Sequence, residues 1–174
     1  MLMAMDIDEL LDIVDRNDIV IGQKHRSEVY AASMVNFRVV NAFLINSSGQ
    51  LWLPRRSAKK RIFPMGLDVS MGGHVESGEN YQSAFQREFY EELNLYLDGL
   101  CWRTLGYLTP YKDHVSAFMK VYEIQTDTSP QYNRDDFIEA FWLMPEEAID
   151  RIDHGEFAKN DLPILIRHFY TKRY

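Results

Sequence analysis

The stretch GGHVESGENYQSAFQREFYEELNL, residues 72–95, decides how this chain is read. Its second half has helical spacing, roughly from Asn80 to Leu93. At about 100° per residue, Ala84, Phe85, Phe89 and Leu93 join Tyr81 on one apolar face. Glu88 and Glu92 fall inside that same face, one turn apart. Taking an unpaired carboxylate out of water costs several kcal/mol, and a second negative charge beside it raises the pKa of one of the two. Two glutamates at the border of the face could instead extend into water, but the wheel stacks both of them within it. Something must neutralise the pair. Arg87 lies near Glu91 on the wheel and is expected to pair with it on the flank, pointing away from Glu88 and Glu92.

Oxygen-only ligands on a rigid element suit a hard divalent cation, Mg²⁺, with Mn²⁺ as a substitute. Mg²⁺ keeps several waters and shares its shell with substrate phosphates, so a phosphate ligand is expected in the same cleft. Gly72 and Gly73 are read as a glycine turn whose bare backbone approaches metal or phosphate closely, with a carbonyl as one more ligand. A tight turn without a ligand is the alternative. Ser77 and Asn80 are the candidate caps of the helix, and Asn94 stands where a helix often ends in a left-handed residue.

The totals set the context. A chain of 174 residues with 46% apolar content suits one domain with a real core. A formal net charge of −7 argues against a stable nucleic-acid partner or an anionic membrane surface, so a phosphate ligand needs local cations or a metal. The one cysteine, Cys101, has no internal disulfide partner; a reducing cytoplasm is the expected setting, and the residue is read as a small buried apolar group. The start, MLMAMDIDELLD, turns acidic early and is not expected to be a signal peptide. No apolar run approaches the ~18 residues of a membrane span.

Outward from the helix, LDIVDRNDIVIGQK (11–24) reads as a hairpin around DRND, SEVYAASM as a short helix, and FRVVNAFLIN as a strand returned through SSGQ by LWLPRR. Pro54 suggests that this second strand ends there or lies at an edge. LDVSMGGHV is expected to enter the glycine turn. Further strands are expected at WRTLGYL, HVSAFMKVYEI and EAFWLM, then helices at PEEAIDRI and LPILIRHFYTK, the last as core or as a homodimer face. The order implies a mixed sheet with helices on both sides.

The residues in hand resemble the Nudix hydrolase signature, G-x5-E-x7-R-E-U-x-E-E-x-G-U with U apolar. Gly73, Glu79, Arg87, Glu88, Phe89, Glu91, Glu92 and Leu95 fill eight of its nine specified positions, and Asn94 stands in place of the second Gly. The resemblance implies an α+β fold, an α/β/α sandwich with a central mixed sheet. The family fold would cover about residues 35–150 of a hydrolase domain at 35–174, with 1–34 an extension of the same domain. It implies Mg²⁺ held by Glu88 and Glu92, with Glu91 a third ligand or the partner of Arg87, the Gly72 carbonyl facing the metal, and Glu79 holding Arg87. The implied activity is hydrolysis of a diphosphate bond in a small nucleotide or nucleoside-diphosphate derivative. The proton of the attacking water would go to Glu88 or to a loop carboxylate, Glu139 or Asp135 and Asp136.

A finer resemblance, carried by the hairpin, VVNAFLIN, LPRRS and FPMGLDVSMGGH, is to the branch related to isopentenyl-diphosphate isomerase. Those isomerases carry a catalytic cysteine in a Cys-Gly-His segment, and here the segment reads Gly72-Gly73-His74. Hydrolysis is therefore expected over isomerisation or non-catalytic nucleotide sensing. PRRSAKKR (54–61) reverses the local charge, and Arg55 and Arg56 are candidate phosphate contacts, as is His74. Tyr107, Tyr111, Phe118, Phe141 and Trp142 are candidates for stacking on a base, against the ordinary role of core aromatics.

Overall fold

The computed structural model describes residues 8–171, so the first seven residues and the last residue of the expected closing helix, Lys172, lie outside it. The hairpin forms as β1 (Leu10–Val14) and β2 (Val20–His25) and runs into helix α1 (Arg26–Ala31). Asp15 closes its turn by accepting from the Asn17 and Ile19 amides. There follow β3 (Arg38–Ile45), β4 (Leu51–Arg56), β5 (Met71–His74), helix α2 (Tyr81–Leu93) and β6 (Cys101–Leu108). A short helix α3 (Pro110–Asp113), β7 (Phe118–Gln125), β8 (Phe137–Leu143) and helices α4 (Pro145–Asp153) and α5 (Asp161–Phe169) complete the chain.

One sheet has the order β6-β7-β3-β4-β8, with β5 paired to β3 off this path. β3 and β7 are parallel and the other pairs antiparallel, so the sheet is mixed. Strand alternation then assigns the two faces. Val40, Ala42 and Leu44 of β3 meet Phe85, Phe89 and Leu93 of α2, with Trp52 and Tyr122 in the same cluster. Phe43 faces the other way, onto Leu162, Leu165 and Ile166 of α5 and Ala148 of α4. This is the expected α/β/α sandwich. Each fully buried large apolar side chain contributes roughly 1.5–3 kcal/mol, so both layers are held by burial.

The middle of the sheet is split. β3 and β4 pair only at Ile45↔Leu51, because β5 and the segment before it occupy the space between them. Ser70 bridges the gap: its Oγ accepts from the Leu44 amide (2.8 Å) and donates to the Trp52 carbonyl (2.5 Å). The split also explains Pro54. β4 does not end there but runs to Arg56, since Asp68 N donates to Pro54 O (2.9 Å) on the side where the ring leaves no N–H to satisfy.

Three other expectations are corrected. Gly72 and Gly73 lie inside β5 with no positive φ; the turn follows later, at Gly78 (φ 85°). β7 starts at Phe118, after α3 and a left-handed His114 (φ 59°), so HVSA is not strand. Cys101 is exposed, on β6 at the edge of the sheet. Among the candidate stacking aromatics, Phe118 is core, while Tyr107 and Tyr111 are exposed and engaged by Asp18 and Arg16 respectively.

The N-terminal elements are bolted to the sandwich. Leu11, Ile13 and Val29 pack with Phe37 and Ala117. Asp18 gathers Arg38 (2.5 Å), Tyr81 OH (2.9 Å) and Tyr107 OH (2.9 Å), while Asp12 accepts from Ser77 Oγ (2.7 Å). Among the described residues no helix is long and apolar enough to cross a membrane. Replacing Ser70→Ala strands a buried amide and a buried carbonyl, and a loss of about 1–3 kcal/mol is expected in urea unfolding followed by near-UV dichroism.

Candidate active site

α2 starts where Asn80 accepts from the amides of Gln82 and Ser83 (both 2.9 Å), and it ends at Asn94 in the left-handed conformation (φ 53°, ψ 34°). Of the two proposed caps, Asn80 is the one used. The helix packs across β5 and β3, which sets Glu88 and Glu92 against the backbone of Gly72 and Gly73. Neither glycine has room for a side chain, Gly73 because of α2 and Gly72 because of β3. A Cβ on Gly73 would sit 1.9 Å from Glu88 Cδ, and one on Gly72 would sit 2.7 Å from Asn41 Oδ1. The glycines serve close approach rather than a turn.

Glu92 is 6% exposed and accepts from the Gly72 amide (3.0 Å). Burial, then the charge of Glu88, push its carboxyl well above the ordinary range; Lys60 opposes the rise and Asp136 adds to it. Burial likewise pushes Glu88 up to about 7 against the pull of Arg87, with Glu91 and Glu9 adding to the rise. Arg87 was expected to avoid this pair, yet its Nη1 donates to Glu88 Oε1 (2.8 Å) as well as to Glu91 (3.1 Å). The long side chain reaches back toward β5, where Nη2 also donates to the His74 carbonyl (2.9 Å). Glu79 takes the guanidinium in a two-point contact, Nε–Oε1 2.8 Å and Nη2–Oε2 2.9 Å. Arg87 therefore compensates part of the buried charge on Glu88, whereas Glu92 has the more distant charge of Lys60.

These groups line a cavity of about 260 Å³, with Gly72, Gly73, His74, Glu88, Glu91 and Glu92 on one wall. Arg56 and Asp136 also line it, while Arg55, Glu139 and Asp135 do not. Arg55 is drawn outward by Glu139 (2.5 Å) and Glu156 (2.6 Å), which accounts for both it and Glu139. Arg56 is held by Asp68 (2.5 Å), Lys60 by Asp136, and Lys59 by Asp135 (2.6 Å), so most of the basic run 54–61 is neutralised locally. His74 is wired to the N-terminal elements: Nδ1 lies 2.7 Å from Glu9 Oε2 and Nε2 2.9 Å from Tyr30 OH. Burial lowers its pKa, although Glu9 opposes that.

Sequence reading missed several cavity residues: Glu9, Arg26 and Tyr30 from the N-terminal part, Asn41 from β3, and Ser116, Lys159 and Asp161 from the C-terminal half. They come from separate segments with no shared motif, and only the packing of the hairpin and of α5 against the sheet unites them.

Fold, helix and cavity define the class: the chain belongs to the Nudix hydrolase family. The NUDIX domain matches residues 35–165. The chain is similar to an uncharacterized Nudix hydrolase of Nostoc sp., 64% identical over 163 residues that cover 94% of this chain and 96% of that protein. It is also similar to a Deinococcus radiodurans protein of known crystal structure, with 49% identity, a TM-score of 0.89, and coverage of 94% of this chain and 100% of that one. A more distant likeness, 25% over 165 residues, covers 92% of this chain and 90% of an isopentenyl-diphosphate Delta-isomerase of Brevibacterium linens, in keeping with the branch read from the sequence.

Gly73→Ala is expected to displace the Glu88 carboxylate and reduce turnover far more than it reduces the urea midpoint, measured side by side. The pH response follows from Glu88. Its folded pKa of about 7 lies above the reference 4.5, so the folded chain holds this proton more tightly than the unfolded chain. That contribution is complete below the reference value and is lost as pH rises through the folded one. In chelator, the stability of wild type relative to Glu88→Gln is therefore expected to fall between pH 4.5 and about 7. A difference that stays flat across this window would contradict the assignment.

Proposed function

We propose that this protein is a Mg²⁺-dependent hydrolase that cleaves a diphosphate bond in a small nucleotide or nucleoside-diphosphate derivative by attack of water on phosphorus. The observation that carries the reading is the burial of Glu88 and Glu92 together against two glycines at the wall of a cavity. The donor set fits a hard cation, since it offers carboxylate oxygens from a rigid helix and Arg87 compensates only part of their charge. Among the described residues no three His, Cys, Asp or Glu side chains converge as a ready-made cage. Mg²⁺ keeps several of its waters, so it does not require a cage made wholly of protein ligands. Glu88 and Glu92 would hold the ion, with Glu91 and the Gly72 carbonyl as further candidates and Mn²⁺ as a substitute. When bound, the ion supplies charge neutralisation at the phosphoryl oxygens and a more acidic water.

The chain's own residues do the rest. Glu88 accepts the proton of the attacking water, and Arg87 on its Oε1 fixes the carboxylate's orientation, itself held by Glu79. As the water oxygen bonds to phosphorus, the bridging P–O bond breaks and its electron pair leaves with the departing phosphate. Asp136 lines the cavity as a second carboxylate, whereas Glu139 is turned away by Arg55, which supports Glu88 over Glu139 as the base. His74 and Tyr30 both line the cavity, and the ring nitrogens of His74 are engaged by Glu9 and Tyr30. Residues 1–34 are read as an extension of the same domain, and the single cysteine suits the cytoplasm. Isomerisation is disfavoured because Gly72 brings no thiol to the site and Cys101 is not among the residues that line the cavity.

Phosphate release should be screened over nucleoside di- and triphosphates, nucleotide sugars, ADP-ribose and dinucleotides, with and without Mg²⁺. Glu92→Gln is expected to lower turnover by about a hundredfold or more while leaving the fold intact by circular dichroism. Full activity in that variant would remove the basis of the metal assignment.

A further inference from the structure

The cavity must admit an anion past a wall of carboxylates, so the question is which cation is left to receive it. Arg56, Lys60, Arg87 and Arg26 are each hydrogen-bonded to a carboxylate: Asp68 at 2.5 Å, Asp136, Glu79 at 2.8 Å and Glu9 at 3.4 Å. Lys159 differs. Its nearest recorded carboxylate oxygen, Asp68 Oδ1, is 3.7 Å away, beyond hydrogen-bond range. Asp68 is already served by Arg56 on Oδ2 (2.5 Å) and by the Val69 amide on Oδ1 (2.8 Å). The ammonium group is thus close enough to be drawn into the cavity wall but is not consumed there.

Its backbone is fixed. Lys159 N donates to Leu67 O (2.9 Å), and Leu162 N donates to Lys159 O (3.0 Å) as α5 begins. The side chain is 26% exposed and lines the same cavity as Glu88 and Glu92. A half-buried lysine on a pinned backbone, with no carboxylate within hydrogen-bond reach among the described residues, is a charge held for a ligand.

Arg55 stands behind this arrangement. It donates to the Met65 carbonyl (3.1 Å) on one loop and to Glu156 (2.6 Å) on the next. Between the two loops, Phe63 packs on Phe157 at 5.9 Å, and Leu67 N donates to Phe157 O (2.9 Å). Phe63 and Met65 both have positive φ (49° and 66°), a strained backbone that needs surrounding contacts to persist. Arg55 supplies one of those contacts and at the same time anchors the segment that carries Lys159.

We propose that Lys159 contacts the phosphate oxygens of the substrate on the wall away from the carboxylate pair, and that Arg55, outside the cavity, is a positioning residue that acts through the loop of Glu156. The proposal rests on reading the cavity as a diphosphate site, and it names a contact that the signature helix does not contain.

The test is calorimetric titration of the full chain with inorganic pyrophosphate in Mg²⁺. Lys159→Met and Lys159→Gln are expected to weaken binding about tenfold or more, Lys159→Arg to retain most of it, and Lys24→Met, outside the cavity, to leave it unchanged. Arg55→Gln is expected to weaken binding in the wild-type background and to add nothing in the Lys159→Met background. Equal affinity for wild type and Lys159→Met, or no binding of pyrophosphate to wild type, overturns the assignment of Lys159. A further loss from Arg55→Gln in the double variant overturns that of Arg55. Hydrolysis is read separately: a chain that binds pyrophosphate through Lys159 yet releases phosphate from no substrate would sink the hydrolase reading and leave this one standing.

Discussion

Two carboxylates on the buried side of one helix are the constraint from which the rest of the site follows. Glu88 and Glu92 are one turn apart, and both pack against glycines that leave no space for a Cβ. Such a pair is destabilising on its own: burial raises the pKa of both carboxyls, and the charge of Glu88 adds to the rise at Glu92. The fold meets the strain by halves. Arg87, gripped by Glu79, offsets Glu88, and the Gly72 amide gives Glu92 one hydrogen bond. The uncompensated remainder is the ground on which a cation is proposed for the cavity.

Bringing that helix to those glycines requires a sheet that opens. β3 is shared between β7 on one side and β5 and β4 in succession on the other, and Ser70 hydrogen-bonds both edges of the opening. The split gives β5 its place beside β3 and under α2, and it lets β4 continue through a proline. The hairpin and α1 then close one side of the cavity through the Asp18 and Asp12 contacts, so that Glu9, Arg26 and Tyr30 become part of the site although they precede the residues matched by the NUDIX domain. Neighbouring carboxylates satisfy the basic run 54–61, whereas Lys159, isolated in sequence, keeps its charge available.

The sequence by itself determined the local elements and the helix that carries the signature. Apolar spacing, the Asn80 cap and the Asn94 terminus place α2, and two stacked glutamates within its apolar face already call for a cation, because helical geometry fixes where side chains at i and i+4 project. Strand alternation in β3 likewise fixes which residues face α2 and which face α5. Tertiary structure alone decided everything that depends on distance between segments. It turned Gly72-Gly73 from a turn into a strand under close approach, sent Arg55 and Glu139 to each other outside the cavity, curled Arg87 onto Glu88, and exposed Cys101. The physical reason is that a long charged side chain takes the nearest opposite charge in space, and neither that neighbour nor the room around a backbone is set by positions along the chain.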